Sequence, residues 1–391
     1  MISIQEALNI VLKKDYSVDS EIINFVDSLH RVLAEDVFSD INMPPFNKSA
    51  MDGFACRMLD INNELELIET IPAGKIPKKT VGVNQCSKIM TGAPIPEGAD
   101  CVIMVEDTKI LNNGNILFLK DKTKDNICYL GEDITENQKV LSKGTLIRPQ
   151  HIAIMASVGK TKVLVAKKPK IGIIATGSEI VEPGNVPNQS QIRNSNAYQL
   201  ISQVKSLAAI PNYLGIAIDS EEDTYQKIKK GLEETDLLLL TGGVSMGDFD
   251  FVPKIMQKAG VEILFDKIAV QPGKPTTFGI HKKASIFGLP GNPVSSFVQF
   301  ELLVKPLIYK MMGCNSALPE LFLPMKNRYE RKRSERESWF PVIINSEGFV
   351  ETLDYNGSAH INGLGPANAI CRIELGKNCI EQGERVYVRP I

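Results

Sequence analysis

Residues 235–252 read TDLLLLTGGVSMGDFDFV, which places a strong strand signal directly before a glycine turn. The four leucines Leu237–Leu240 predict a strand whose two faces are both covered. Gly242 and Gly243 then permit a tight turn in which backbone N–H groups converge on an anion. The stretch therefore predicts the edge of a buried sheet at which a phosphate-bearing ligand binds.

Polar side chains follow this turn at close spacing. Ser245 offers a hydroxyl, while Asp248 and Asp250 carry the carboxylate oxygens that hard cations such as magnesium prefer. Taken alone, the same residues also fit an ordinary strand-to-helix turn in which one aspartate caps the helix. The remaining segments of the chain have to separate these two interpretations.

The bulk composition is that of an ordinary globular protein. With 391 residues, 43% hydrophobic and 23% charged, the chain exceeds a single core and should divide into several domains. Its net charge of −2 provides no global basic field for nucleic acid or anionic membranes. The N-terminus shows no apolar signal core, and no run of about 18 apolar residues occurs. We therefore expect a cytoplasmic protein that binds neither nucleic acid nor membrane.

The cysteines and histidines show no metal-binding pattern. No cysteine pair has CxxC spacing, and the four histidines lie far apart in the sequence. The pattern predicts free thiols rather than a zinc site or a disulfide framework. The seven cysteines are Cys56, Cys86, Cys101, Cys128, Cys314, Cys371 and Cys379.

Residues 167–313 alternate between strand and helix signals, which is typical of βαβ units. The predicted strands are Ile171–Ala175, Tyr213–Ile218, Leu237–Leu240 and Ser285–Leu289. The predicted helices are 196–208, 222–233, 251–259 and 293–312. This alternation predicts a parallel sheet with helices on both faces. In such sheets ligands bind beyond the carboxyl ends of the strands, where TGSE (176–179) and TGGVS (241–245) fall.

The flanking parts of the chain carry different patterns. Residues 1–36 predict helix, with a second helical segment over Ile22–Leu33, and Pro149–Val158 predicts another helix. Residues 52–133 show short alternating runs separated by Gly and Pro, as in a β domain. Towards the C-terminus, short strand signals return at Trp339–Ile344, Phe349–Leu353 and Glu384–Val388.

Two further segments fit an anion pocket at the same sheet edge. In KIAVQPGKP (267–275), Lys267 and Lys274 flank a Pro-Gly turn, so both ammonium groups can reach one anion. In FGLPGNPVSS (287–296), Pro293 begins a helix whose N-terminal N–H groups face that edge, with Ser295 in its first turn. Each segment alone also fits a plain structural role, as a solvated turn or a well-capped helix.

The segment KNRYERKRSER (326–336) holds six basic and two acidic residues. A run this short, interrupted by Glu330 and Glu335, predicts a solvated strand or loop rather than a nucleic-acid patch. Within it, Arg336 is a candidate for the anion pocket.

Six segments occur together, in the same order and spacing, in a known family. They are PPFNKSAMDGFA (44–55), MTGAPIPEGAD (90–100), IATGSEI (174–180), TGGVSMGDFDFV (241–252), QPGKP (271–275) and GLPGNPVSSF (288–297). On these segments the chain resembles the molybdopterin molybdenumtransferase family of the MoeA type, to which the E domain of gephyrin is related. The match spans nearly the whole chain.

The resemblance implies an elongated, four-domain subunit of α/β and β type that forms a homodimer. Residues 1–44 and 132–167 would form a helical linker domain, and residues 45–131 an inserted β domain. Residues 168–313 would form the α/β molybdopterin-binding domain. Residues 314–391 would form a C-terminal β-barrel domain that faces the partner subunit.

The implied activity inserts molybdate into adenylylated molybdopterin, with Mg2+-dependent release of AMP, and yields molybdenum cofactor. The positions that match catalytic residues of the family are Asp52, Thr91, Glu179, Asp219, Asp250, Lys267 and Lys274. The positions that match its substrate-binding residues are Gly242, Gly243, Ser245, Gln271, Pro290, Pro293, Ser295, Arg336 and Ser358. Asp250 and Glu179 are the predicted magnesium ligands.

One position departs from the family pattern. Many members carry lysine immediately before the PGKP segment (272–275), whereas this chain has Gln271. Glutamine removes one positive charge and keeps two N–H donors. Oxyanion binding would then depend more on Lys267, Lys274 and Arg336.

Two other functions stay open. Stand-alone domains related to the α/β domain adenylylate molybdopterin with ATP, and the gephyrin relationship permits a non-catalytic scaffold. The flanking β domains favour the insertase, and the sequence shows neither the long linkers nor the second fused domain of a scaffold. Besides a second copy, a molybdopterin adenylyltransferase and molybdoenzyme maturation proteins are the expected partners. Molybdate and tungstate both remain candidate oxyanions, because they are tetrahedral and similar in size.

Overall fold

The computed structural model describes residues 1–218, 220–243, 252–282, 284–315, 320–355 and 357–391. The chain forms two compact units. Unit 1 contains Met1–Glu35, Gly144–Arg148 and Val163–Ile391, and unit 2 contains Asp36–Lys143 and Pro149–Lys162. The α-helices of the described residues are α1 (Ile4–Val11), α2 (Pro149–Ser157), α3 (Ser195–Ser206), α4 (Glu221–Glu234), α5 (Val252–Lys258), α6 (Pro293–Gln299) and α7 (Lys305–Met311).

A six-stranded sheet organises the middle of unit 1. Its first four strands pair in parallel, as expected where helix-containing crossovers connect them. Two antiparallel strands complete the other edge. In order across the sheet, the strands are Ile210–Ala217, Lys170–Thr176, Leu237–Thr241, Ser285–Leu289, Thr277–Ile280 and Glu262–Phe265.

Both faces of this sheet are covered by helices, and the four leucines show how. Successive side chains of a strand point to opposite faces. Leu237 and Leu239 belong to the core that contains residues of α3 and α6. Leu238 and Leu240 belong to the core that contains residues of α4 and α5. All four are fully buried, which confirms the predicted strand with two covered faces.

The predicted strands of the α/β region are all present, but the antiparallel edge was not predicted. Both edge strands are only four residues long, and Thr277–Ile280 reads TFGI, which lacks the alternation of a half-buried strand. Gly279 explains part of this weak signal. A Cβ atom at Gly279 would lie 2.4 Å from Val261 Cγ1, so a small residue is needed where the two segments approach.

The predicted single helix 293–312 is interrupted. A wider, π-helical turn over Phe300–Val304 joins α6 to α7. Such turns occur frequently near functional sites. The interruption places Gln299 at the end of α6, where its side chain is fully buried.

A second sheet confirms the β character predicted for the C-terminal region. Its first strand, Val270–Gln271, belongs to the KIAVQPGKP segment and pairs in parallel with Glu337–Ile344. In order, its strands are Val270–Gln271, Glu337–Ile344, Ala369–Ile373, Arg385–Pro390 and Leu321–Pro324, with Val350–Thr352 paired beside Glu337–Ile344. This hydrogen-bonded path is open, so the described residues show a β sheet and no closed barrel.

Unit 2 is built around a four-stranded mixed sheet, as the short alternating runs predicted. In order, its strands are Glu66–Ile71, Gln85–Ile89, Gly53–Cys56 and Cys101–Met104. Three two-stranded pairs accompany it: Lys48–Ser49 with Ile127–Cys128, Val37–Phe38 with Lys139–Leu141, and Thr108–Ile110 with Ile116–Phe118. Helix α2 also belongs to this unit and confirms the helix predicted from Pro149.

Helix α1 begins with a capping box. Ser3 Oγ accepts a hydrogen bond from the Glu6 N–H, and the Glu6 carboxylate accepts one from the Ser3 N–H at 2.8 Å. Ala7 and Val11 on its inner face are fully buried. The first predicted helix is therefore confirmed, but it is shorter than the predicted 1–36.

The helix predicted over Ile22–Leu33 is wrong. Ser20–Asn24 is a strand that pairs with Lys162–Ala166, and Phe25–Ser28 is a short 3-10 helix. The buried Arg31 donates a hydrogen bond to the Ala166 carbonyl at 2.6 Å. These partners lie more than a hundred residues away in sequence, so they outweigh the local apolar periodicity on which the prediction rested.

All seven cysteines are free thiols, in keeping with their scattered positions. None of the helices in the described part of the chain is long and apolar enough to cross a bilayer.

Candidate functional site

The carboxyl ends of the parallel strands open into a cleft of about 1220 Å³ within unit 1. This is where an open α/β sheet places its ligand. The glycine turns and proline segments singled out in the sequence meet here. The predicted site residues that line the cleft are Glu179, Gly242, Gly243, Gln271, Lys274, Pro290, Pro293, Ser295, Arg336 and Ser358.

The glycine turns at the floor of the cleft are packed against each other. Gly242 has a φ of +99°, and a Cβ atom there would lie 2.5 Å from the Thr176 carbonyl oxygen. Its N–H donates to the Leu289 carbonyl at 3.1 Å. On its other side, a Cβ atom at Gly291 would lie 3.5 Å from Gly242 Cα. Only glycine at position 242 permits this approach of three strand ends.

Asn196 fixes two of these strand ends, and the sequence analysis missed it. Its side-chain Nδ2 donates to Thr241 Oγ1 and to the Gly291 carbonyl, both at 2.8 Å. Asn196 lies in the first turn of α3, which Asn194 caps by accepting from the Ala197 N–H. The only signal in the sequence was a polar residue early in a helix, which is common at helix starts.

The beginning of α6 is joined to the C-terminal region of the same unit. Asn292 Nδ2 donates to Ser358 Oγ at 2.7 Å, and the Val294 N–H donates to the Ser358 carbonyl at 3.1 Å. Pro293 occupies the first turn of the helix, as predicted. Ser358 therefore lies beside the GLPGNP segment, and the two together form one wall of the cleft.

The described lining of the cleft is strongly cationic. It contains six basic side chains and one carboxylate, that of Glu179. Such an excess of positive charge favours an anionic ligand. The basic residues are Arg193, Lys274, Arg331, Lys332, Arg333 and Arg336.

The basic run 326–336 contributes more to this lining than the sequence indicated. Lys332 and Arg333 are exposed, as predicted for a solvated loop, yet they line the cleft together with Arg336. Arg331 supports this loop, because its guanidinium donates to the Arg336 carbonyl at 2.8 Å and to the Lys377 carbonyl at 2.7 Å. Burial lowers the pKa of Arg331 from its ordinary value.

Some predicted site residues are not brought to the cleft. Lys267 does not line it, and its ammonium group lies 3.9 Å from the Asp266 carboxylate. Asp219, Ser245, Asp248 and Asp250 lie outside the described residues.

A magnesium ion would need hard oxygen ligands. Glu179, which is exposed, is the carboxylate that the described lining offers. Within the described ranges, no three His, Cys, Asp or Glu residues cluster closely enough to hold a metal ion. Glu179 thus fits as one oxygen donor, and further donors would have to come from other residues.

Asp52 and Thr91 lie in unit 2 and contact each other. Asp52 Oδ1 accepts hydrogen bonds from the Thr91 N–H at 2.6 Å and from Thr91 Oγ1 at 2.9 Å. The backbone hydrogen bond, followed by the hydroxyl bond, lowers the pKa of Asp52 from its ordinary value. The two predicted residues thus form a local pair that favours the ionised carboxylate.

This pair gives a pH-dependent prediction. Because the folded-state pKa of Asp52 is lowered, its stabilising contribution is present above the unfolded pKa of about 3.9 and is lost as pH falls through the folded value. We expect Asp52→Asn to lower the melting temperature at pH 7, and the difference from wild type to shrink below about pH 4. Thermal unfolding from pH 3 to pH 7 measures this. Thr91→Val, which keeps the backbone donor, should retain most of the pH dependence; a pH-independent gap for Asp52→Asn would contradict the assignment.

The fold and the cleft define a protein whose α/β domain has a cationic cleft at the carboxyl edge of its sheet. Comparison with known families agrees with this class. Residues 2–159 match the model described as "MoeA N-terminal region (domain I and II)". Residues 172–310 match the model described as "Probable molybdopterin binding domain".

Curated relatives and a solved structure cover the whole chain. A molybdopterin molybdenumtransferase of Staphylococcus epidermidis is 39% identical over 99% of this chain and 95% of its own length. The Bacillus subtilis protein of the same name is 35% identical over 99% of this chain and 93% of its own length. The crystal structure of the molybdopterin biosynthesis moeA protein from Pyrococcus horikoshii OT3 is 30% identical, covers 100% of both chains and has a TM-score of 0.86. The chain belongs to the molybdopterin molybdenumtransferase family, which confirms the resemblance seen in the sequence.

Proposed function

We propose that this protein inserts molybdate into adenylylated molybdopterin and releases AMP in a Mg2+-dependent step, which yields molybdenum cofactor. The observation that carries the proposal is the cleft of unit 1, whose described lining has six cationic side chains against one carboxylate. Molybdate and a phosphoanhydride are both anions, so this lining suits both substrates. The names of the relatives point to the same transferase activity.

The cleft residues divide into two groups in this proposal. Lys274, Arg336 and Ser358 would contact the oxyanion, with Gln271 supplying N–H donors where other members have lysine. The backbone of Gly242 and Gly243, with Ser295 and the turn shaped by Pro290 and Pro293, would hold the pterin phosphate. Ser245, which the resemblance assigns to substrate binding, would add a hydroxyl. Lys267 precedes Ile268, whose N–H donates to the Lys274 carbonyl, so Lys267 would contribute positive charge at longer range.

Catalysis in this proposal depends on position and charge. The two dithiolene sulfurs of the substrate would bond to molybdenum as one oxide of molybdate leaves as water with the two thiol protons. A water molecule would cleave the phosphoanhydride bond, which releases AMP and leaves a terminal phosphate on the pterin. No side chain has to form a covalent bond, so the protein orients the reactants and neutralises their charge. Glu179 and Asp250 would hold Mg2+, which would stabilise charge on the departing AMP phosphate. Asp219 is the third acidic position that the resemblance assigns to catalysis. Asp52 and Thr91 complete the proposed catalytic set.

A direct assay tests this function. We expect purified protein, supplied with adenylylated molybdopterin, molybdate and Mg2+, to release AMP, and the release to fall sharply when molybdate or Mg2+ is omitted. An absence of AMP release under full conditions would refute catalysis and leave the gephyrin-like scaffold. Supplying unmodified molybdopterin and ATP tests the alternative: efficient formation of the adenylylated product would identify a molybdopterin adenylyltransferase.

The quaternary structure and the finer domain layout are proposals that rest on the resemblance. We propose a cytoplasmic homodimer, each subunit with a helical linker domain, an inserted β domain, the α/β domain and a C-terminal β domain. A molybdopterin adenylyltransferase would supply the substrate, and molybdoenzyme maturation proteins would receive the product. Analytical ultracentrifugation tests the dimer; a mass near the 43.1 kDa of one chain at micromolar concentration would refute it.

A further inference from the structure

The turn that carries Lys274 is held in place from behind the cleft wall. Gln271, Pro272, Gly273 and Lys274 all line the cleft. The Gly273 carbonyl accepts from Thr276 Oγ1 at 2.8 Å, and Thr276 is fully buried. The Lys274 carbonyl accepts from the N–H groups of Ile268 and Thr276, both at 3.0 Å. The carbonyl oxygens of the turn are thus bonded to groups that do not line the cleft.

Gln299 makes the equivalent bond to the Pro272 carbonyl of this turn. Its side-chain Nε2 donates to the Pro272 carbonyl at 2.9 Å, and the side chain is fully buried. A Cβ atom at Gly273 would lie only 2.4 Å from the same Nε2 atom, so the amide group packs directly against the turn. Among the described residues Gln299 Oε1 has no hydrogen-bond partner, so the bond to Pro272 is the polar contact that this part of the chain shows for the buried side chain.

Helix α6 connects this contact with the opposite wall of the cleft. Pro293 and Ser295 at the start of α6 line the cleft, and Gln299 ends the same helix. Two turns of helix span about 10 Å. The π-helical turn that follows at Phe300–Val304 sets the point at which α6 ends. One short helix therefore joins the GLPGNP segment at its start to the QPGKP segment, which Gln299 contacts at its end.

We infer that Gln299 is a positioning residue for the oxyanion subsite of the cleft, which acts by fixing the Pro272–Lys274 turn; this rests on the proposed function. An anion pocket requires that N–H and ammonium groups face the ligand and that carbonyl oxygens do not. The hydrogen bond from Gln299 turns the Pro272 carbonyl oxygen away from the cleft, so its partial negative charge does not face the anion. The same bond fixes the backbone from which the Lys274 side chain extends. Gln299 itself does not touch the substrate.

A matched pair of variants tests the inference. Gln299→Met keeps the length of an unbranched side chain and removes the donor. Gln203→Met is the control, because Gln203 is also buried and donates to Glu301 Oε1 at 3.0 Å. Within the described residues its Oε1 is likewise unpaired, and its side chain makes no hydrogen bond to the turn. We expect Gln299→Met to raise the KM for molybdate and the Kd for molybdate in equilibrium dialysis by roughly 10-fold. We expect kcat to change less, and Gln203→Met to leave both constants unchanged.

Hydrogen exchange of the ligand-free protein shows whether Gln299 holds the Pro272–Lys274 turn in place, independently of molybdate binding. Amides in the turn around Gly273–Lys274 should exchange faster in Gln299→Met than in Gln203→Met. Faster exchange with unchanged molybdate binding would overturn the inference, and so would equal losses of binding in the two variants. If wild-type protein releases no AMP, the proposed function fails, but direct molybdate binding by the two variants still decides the role of Gln299.

Discussion

Asp250→Asn is expected to lower the rate of AMP release by at least about 100-fold, the loss typical when a preorganised charge at a reacting group is removed. The described lining of the cleft offers one carboxylate, Glu179, and six cations. A magnesium ion bound there needs further anionic oxygen ligands. Asp250 follows the cleft-lining Gly243 closely in the sequence, and asparagine keeps its shape while removing the charge.

The measurement is the initial rate of AMP release across a range of Mg2+ concentrations. Higher Mg2+ should partly restore the variant, because a weakened site fills by mass action. Asp15→Asn is a suitable control, since Asp15 is exposed and does not line the cleft. Unchanged sedimentation would show that the assembly is intact. If Asp250→Asn and Asp15→Asn release AMP at similar rates at every Mg2+ concentration, Asp250 is not a magnesium ligand.

The α/β region was predictable because the local sequence pattern and the tertiary packing favour the same strands and helices there. Leu237–Leu240 is apolar on both faces and buried on both faces, so the run of leucines predicts the strand Leu237–Thr241 almost to its end. Pro293 begins a helix in the sequence pattern and in the structure. The glycines of the turns were also informative, because the positive φ of Gly242 and Gly243 is a conformation that other residues rarely adopt.

Other features depend on contacts between segments that are distant in the sequence. A local sequence pattern does not reveal such contacts. Ser20–Asn24 became a strand because its partner, Lys162–Ala166, lies far along the chain. Asn196 became part of the cleft because its amide contacts Thr241 and Gly291, which follow it by 45 and 95 residues. The basic run 326–336 likewise lines the cleft because the strand that follows it, Glu337–Ile344, pairs with Val270–Gln271.

Gly242→Ala is expected to lower the free energy of unfolding by about 3 kcal/mol, which combines a positive-φ penalty with overpacking. The new Cβ atom would lie 2.5 Å from the Thr176 carbonyl, and Cβ atoms essentially never approach within 3.0 Å. The two strand ends must therefore separate by about 0.5 Å or more. Such a shift displaces both glycine turns that line the cleft, so AMP release should fall at least about 10-fold.

Gly357→Ala separates the effect of the clash from that of backbone conformation. Gly357 also lines the cleft and has a φ of +110°, yet a Cβ atom there would meet no atom of the described residues within 4 Å. This control should lose only about 1–2 kcal/mol and retain most of its activity. Chemical denaturation and the AMP assay, run on both variants, measure the two effects. Equal losses in the two alanine variants would show that the contact between Gly242 and Thr176 is not what shapes the floor of the cleft.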